Sequence, residues 1–236
     1  MTPLRALCFD ATGTLVETAE PVGEVYRRVA LEHGVDLPAW RIEDAFRRVL
    51  RHAPPRGLTG DDAPTRRRHE VEWWQERVRQ TFQATDSTVR FADLPAFART
   101  LFDVYRQPSA WRVRRGVSEM LATLRSRRWP LAVVSGFDHR LPSILEGLDL
   151  AKYFEALILP ADCGVAKPDR RIFEIAAASL EQPFGSLGYV GDDPAATLEA
   201  IRNLGLTVFD ARRIPDWAEF PDLVGMPATL PPPTAV

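Results

Sequence analysis

Four polar stretches of this sequence carry side chains suited to phosphoryl chemistry: Asp10, Ser135-Gly136, Lys167 and Asp192-Asp193. A carboxylate can attack phosphorus and form an aspartyl phosphate. A hydroxyl and the backbone N–H groups beside a glycine can hold phosphate oxygens, and a lysine can neutralise the remaining charge. Adjacent carboxylates suit Mg²⁺, a hard cation that favours oxygen ligands and lets an anionic nucleophile approach an anionic phosphate. Each residue also has an ordinary role to weigh. Asp10 could cap the turn after its strand, Ser135 could be a small residue at a strand-to-loop turn, and Asp193 could cap the helix that Pro194 opens. Lysine usage favours function at position 167. Of 30 basic residues only Lys152 and Lys167 are lysine, so arginine serves wherever a generic positive charge is enough.

The elements around these residues give them a common place. Asp10, Ser135 and Asp192 each follow a short apolar run (4–9, 131–134 and 187–190) of the kind that forms a buried parallel strand. Parallel strands bring their carboxyl ends to one edge of a sheet, where ligands of open α/β sheets bind. Lys167, ahead of a helix over 168–180 opened by Pro168 and Asp169, can reach the same edge. Further helices are expected over 116–127, 140–148 and 195–204, with short strands over 156–159 and 206–209.

Between the first strand and the rest, residues 17–107 read as a strand-free helical block. Its helices are expected at 22–29, 42–51, 69–82 and 94–105, and 52–66 reads as a Pro- and Gly-rich loop. Arg66-Arg67-Arg68 reads as a solvated helix start, with an anionic ligand as the alternative. Trp73-Trp74 suits packing, in the core or between domains, better than ligand stacking. The division is therefore an α/β core over 1–16 and 108–225, a helical insertion over 17–107 and a proline-rich tail over 226–236.

Composition narrows the partners. At 236 residues, 45% hydrophobic and 26% charged, the chain has the profile of a globular protein with an ample core. A net charge of -2 gives no reason to expect nucleic acid or an anionic membrane. No apolar run approaches the ~20 residues of a membrane span, and no leader pattern is seen. Two cysteines, Cys8 and Cys163, suggest reduced thiols and a cytoplasmic setting. His33, His52, His69 and His139 are scattered and support no triad hydrolase.

Taken in order, Asp10-Ala11-Thr12-Gly13-Thr14-Leu15, Val133-Val134-Ser135-Gly136, Lys167-Pro168-Asp169 and Val190-Gly191-Asp192-Asp193 resemble the four motifs of the haloacid dehalogenase-like hydrolase superfamily. The inserted helices resemble the cap of its first subfamily. Trp73-Trp74, Thr81-Phe82, the stretch 111–116 and Ser135-Gly136-Phe137-Asp138 resemble one branch more particularly. The resemblance implies a doubly wound, Rossmann-like parallel sheet with a helical cap, and a small phosphorylated metabolite as substrate. It implies Asp10 as nucleophile and metal ligand, the Thr12 carbonyl as a further ligand, and Ser135 with Gly136 for phosphate. Lys167 would steady Asp10 and the phosphate, and Asp192 and Asp193 would hold Mg²⁺.

Two positions depart from the pattern. Phosphatases of this superfamily carry a second aspartate two residues after the nucleophile, which protonates the leaving group and then activates water. Here it is Thr12, and loss of a general acid/base costs ~10²–10⁴-fold. A further acid in the fourth motif is replaced by Ala196 or Thr197. Three readings follow: an Mg²⁺-dependent phosphohydrolase with weakened turnover, a regulatory relative that binds phosphate, metal or a partner, and a 2-haloacid dehalogenase.

Overall fold

The computed structural model describes residues 3–54, 56 and 58–227. Its centre is a five-stranded sheet, and the three middle strands are short apolar segments buried along their whole length: β1 (Ala6–Phe9), β4 (Leu131–Val134) and β6 (Leu187–Gly191). Strands with no polar face need cover on both sides, which βαβ crossovers supply. With β5 (Ala156–Ile158) and β7 (Thr207–Asp210) the order is β5-β4-β1-β6-β7, and every pairing is parallel. The doubly wound α/β expectation is met.

The sheet's two faces carry different cores. Leu7, Phe9, Leu131, Val133 and Val190 face a cluster that includes Met120, Leu121 and Leu124 of α5 (Val117–Ser126) and Leu141, Ile144 and Leu145 of α6 (Leu141–Gly147). Ala6, Cys8, Ala132, Val134 and Tyr189 face α8 (Arg170–Ser179) and α9 (Ala195–Asn203) through Ile172, Phe173, Leu198 and Ile201. Cys8 and Cys163 are both free, and burial pushes the Cys8 thiol up to about 12.

The insertion folds into α1 (Val22–Glu32), α2 (Ala39–Arg51), α3 (Ala63–Thr85) and α4 (Leu94–Val104). It is not strand-free. β2 (Val16–Thr18) pairs antiparallel with β3 (Trp111–Val113), joining the outgoing and returning chain. Three-residue strands are too short to show an alternating pattern, so this ribbon has no local signature. Helix α3 also starts six residues before the expected 69, because the Asp62 carboxylate accepts the Thr65 N–H at 2.7 Å and Pro64 occupies the first turn. A short α7 (Pro160–Cys163) lies between β5 and α8, and α10 (Phe220–Val224) precedes the tail. Of the tail, residues 228–236 lie outside the described residues. Among the described residues no helix is long and apolar enough to cross a membrane.

Candidate active site

Register decides which residues meet. Phe9 stands opposite both Val133 and Val190, so Asp10, Ser135 and Asp192 leave the sheet on the same edge. The Lys167 ammonium completes the group, 3.2 Å from Asp10 Oδ1 and 2.9 Å from Asp193 Oδ1. It also donates to the Tyr189 hydroxyl, which in turn donates to Asp193. Burial of Lys167 works against its charge, but Asp10 and Asp193 outweigh burial and raise its pKa above the ordinary lysine value. The ammonium is therefore a fixed positive charge beside the Asp10 carboxylate.

Asp192 takes a different direction, toward the turn after β1. The Thr14 hydroxyl lies 3.5 Å from Asp192 Oδ1. Gly13, at φ +77°, permits the approach: a Cβ there would sit 2.1 Å from Asp192 Oδ2. Burial, then the charges of Asp10 and Asp193, raise the Asp192 pKa. Crowded oxygen donors of this kind suit a hard dication, and Asp10, Asp192 and the Thr12 carbonyl are the groups that would hold Mg²⁺. Asp193, expected beside Asp192 at the metal, also pairs with Lys167 and accepts from Tyr189. Among the described residues no three His, Cys, Asp or Glu side chains form a ready metal cluster.

Ser135 is buried, and its Oγ accepts the Phe137 N–H at 3.2 Å, which leaves the hydroxyl proton to donate. Gly136 is exposed, and a Cβ built on it would meet no atom within 4 Å. A phosphate group can thus come against this turn. The Gly136 carbonyl accepts from Arg56 Nε and Nη2 at 3.1 and 2.8 Å, so an arginine of the insertion reaches the Ser135–Gly136 turn.

Thr12 is exposed in the cleft and lines a cavity of about 450 Å³ between sheet edge and helical cap. Ala196 is exposed and Thr197 half-buried at the start of α9. The cavity wall is rich in aromatic residues, with Tyr26, Phe46, Trp73, Trp74, Phe102, Tyr105, Trp111 and Phe137. Trp73 and Trp74 line it as well as packing: Trp74 Nε1 donates across the domain boundary to Asp138 Oδ2 at 2.7 Å. The arginine run 66–68 serves the boundary too. Arg66 donates to the Ala161 carbonyl at 2.7 Å and Arg67 pairs with Asp162, so both reach α7 of the core.

Four groups escaped the sequence reading. Asp138, fully buried, binds Arg140 through both oxygens at 2.8 and 2.7 Å and lies 3.9 Å from Arg56. Burial alone would raise its pKa, but the Arg140 hydrogen bonds and charge, with Arg56 and Trp74, hold it well below the carboxylate range. Buried Glu70 accepts from His139, whose Nδ1 is 2.8 Å from Oε2. Tyr189 carries the only hydroxyl in β1, β4 and β6, and that was a readable signal. Arg56 had none, being one basic residue in a loop.

Known proteins resemble this chain in sequence and in fold. The chain is 32% identical to haloacid dehalogenase-like hydrolase domain-containing protein 3 of Bos taurus, over 87% of this chain and 81% of that protein. This is the branch that the stretches around Trp73 and Ser135 resemble. Its fold is similar to that of a putative beta-phosphoglucomutase from Thermotoga maritima, with a TM-score of 0.68 and 21% identity over 94% of this chain and 98% of the other. It is also similar to that of the L-2-haloacid dehalogenase from Xanthobacter autotrophicus, with a TM-score of 0.64 and 19% identity over 94% and 82% of the two chains. A match to the description "haloacid dehalogenase-like hydrolase" runs over residues 4–205 and takes in the whole of this sheet edge; the chain belongs to that family.

Proposed function

We propose that the chain is a slow, Mg²⁺-dependent phosphohydrolase of small phosphorylated molecules, with Asp10 as nucleophile. The observation that carries this reading is the Lys167 ammonium 3.2 Å from Asp10 Oδ1, beside an open turn at Gly136. The lysine beside Asp10 can balance charge on a transferred phosphoryl group. Bound through Asp10, Asp192 and the Thr12 carbonyl, Mg²⁺ would supply charge neutralisation of the incoming phosphate. Ser135 and the Gly136 turn orient the phosphate. An Asp10 oxygen attacks phosphorus, the bond from phosphorus to the leaving oxygen breaks, and that oxygen departs with the electron pair. Water then attacks phosphorus, the bond to Asp10 breaks, and the water proton passes to solvent. Thr12 can serve neither as acid for the first step nor as base for the second, so turnover is slow and favours leaving groups that need no proton.

Asp10-dependent release of phosphate from acetyl phosphate with Mg²⁺ tests this reading, and its absence across a panel of phosphate esters would overturn it. Binding of phosphate without turnover would instead support a regulatory relative. A second reading has its own support: Lys167 lies between Asp10 and Asp193, which suits a carboxylate that attacks carbon without metal. There Asp10 forms a bond to carbon and halide leaves with the electron pair, so chloride release from 2-chloropropionate in chelator is the test.

A further inference from the structure

The cavity beside Thr12 has a chemistry of its own. Its volume, about 450 Å³, is within the range of small-molecule sites, ~300–1,000 Å³. Among the described residues, its only charged lining residues are Arg56 and Arg140. Arg140 is occupied by Asp138 and by the Phe102 carbonyl at 2.9 Å. Arg56 lies over the ring faces of Trp73 and Trp74, at 5.3 and 4.9 Å from their centroids. Both arginines lie against the Asp138 carboxylate, and Glu70 and Asp10 also act on Arg56.

Few lining groups could accept or give a hydrogen bond to a polyhydroxylated substrate. Among the described residues, the hydroxyls of Thr12, Thr18, Tyr26 and Tyr105 are the only ones on the wall. Burying a sugar's hydroxyls there would leave most of them unpaired, at a cost of ~1–3 kcal/mol each. A flat apolar ring meets the opposite situation: edges and faces of tryptophan and phenylalanine on several sides. No lining side chain is a ready proton donor either. Arginine does not deprotonate, and burial raises the pKa of both Tyr26 and Tyr105, which hold their protons more tightly than usual.

We propose that the substrate is a phosphate monoester of an aromatic alcohol, its ring in this cavity and its aryloxide leaving beside Thr12 toward the charge of Arg56. The inference rests on the phosphohydrolase reading above. It explains how Thr12 is tolerated: an aryloxide departs with its own negative charge and takes no proton at the bond-breaking step. Attack by Asp10 forms the new oxygen–phosphorus bond, the aryl oxygen–phosphorus bond breaks, and the electron pair stays on the aryl oxygen until solvent protonates it.

The test compares 1-naphthyl phosphate, glucose 6-phosphate and acetyl phosphate with Mg²⁺. The expected result is a kcat/KM for 1-naphthyl phosphate higher than for glucose 6-phosphate by on the order of 10- to 100-fold. In Ala53→Trp, which narrows the cavity, and Trp73→Ala, which removes one wall, the ratio of 1-naphthyl phosphate to acetyl phosphate turnover should fall. Turnover of acetyl phosphate with no preference for the naphthyl ester, or an unchanged ratio in both variants, overturns the inference and leaves the phosphohydrolase reading standing. Absence of any Asp10-dependent turnover overturns that reading. Calorimetry on Asp10→Asn then decides the cavity alone: 1-naphthyl phosphate binding tighter than inorganic phosphate supports an aromatic occupant, and equal binding overturns it.

Discussion

The sheet edge and the cavity above it are built in opposite ways. At the edge, four charged groups, Asp10, Lys167, Asp192 and Asp193, lie on short turns fixed by three buried strands. In the cavity, aromatic walls from the insertion and the core meet around the Asp138–Arg140 pair. The edge gains its chemistry from backbone geometry, and the cavity gains its chemistry from side-chain packing across a domain boundary. Changes at the edge should therefore alter rate with little loss of stability, whereas changes around the cavity should alter stability and substrate preference together.

The largest effect is expected at the edge itself. Asp10→Asn should reduce phosphate release from acetyl phosphate to background while the melting temperature stays close to that of the wild type. A matching loss of folding would break the contrast. Next, Thr12→Asp should raise kcat by ~10²–10⁴-fold if only the acid/base group is missing, measured with an ester whose alcohol is a poor leaving group. A null result there would mean that the edge is not arranged for proton transfer.

On the cavity side, Asp138→Ala leaves Arg140 and Arg56 without their buried partner. It should destabilise the fold by ~3–5 kcal/mol in denaturant titration. The same carboxylate gives a pH signature. Its pKa is depressed in the folded protein, so its contribution is complete above the unfolded value, ~3.9, and is lost as pH falls below it. Melting temperatures taken from pH 6 downward should drop in that acid range, and Asp138→Asn should flatten the drop. The smallest effect belongs to the exposed tie between α3 and α7. Arg67→Ala should cost no more than ~1 kcal/mol, because its Asp162 partner is also solvent-exposed.

The same contrast governs what could be read from the chain. Asp10, Ser135, Lys167 and the pair at 192–193 were legible because each follows a strand or opens a helix, and both features are local. Parallel pairing then placed them together without further information. The cavity depends on long-range meetings that no spacing encodes, such as Arg56 bonding Gly136 or Trp74 bonding Asp138. Trp73-Trp74 illustrates the limit: packing between domains was the right expectation for Trp74, yet the pair also faces the cavity. The ribbon of β2 and β3 was invisible for another reason, since its strands are shorter than any periodicity they could display.

That ribbon has a consequence for how the molecule is assembled. Val16 pairs with Val113 and Thr18 with Trp111, so the chain leaves the core and re-enters it side by side. In topological terms the whole helical cap is the loop of a β-hairpin. The entropy of closing such a loop grows only with the logarithm of its length, so most of the cap's size costs the core little. One cap could then be exchanged for another at Thr18 and Trp111 with the nucleophile left in place, and a new pocket would come with the exchange.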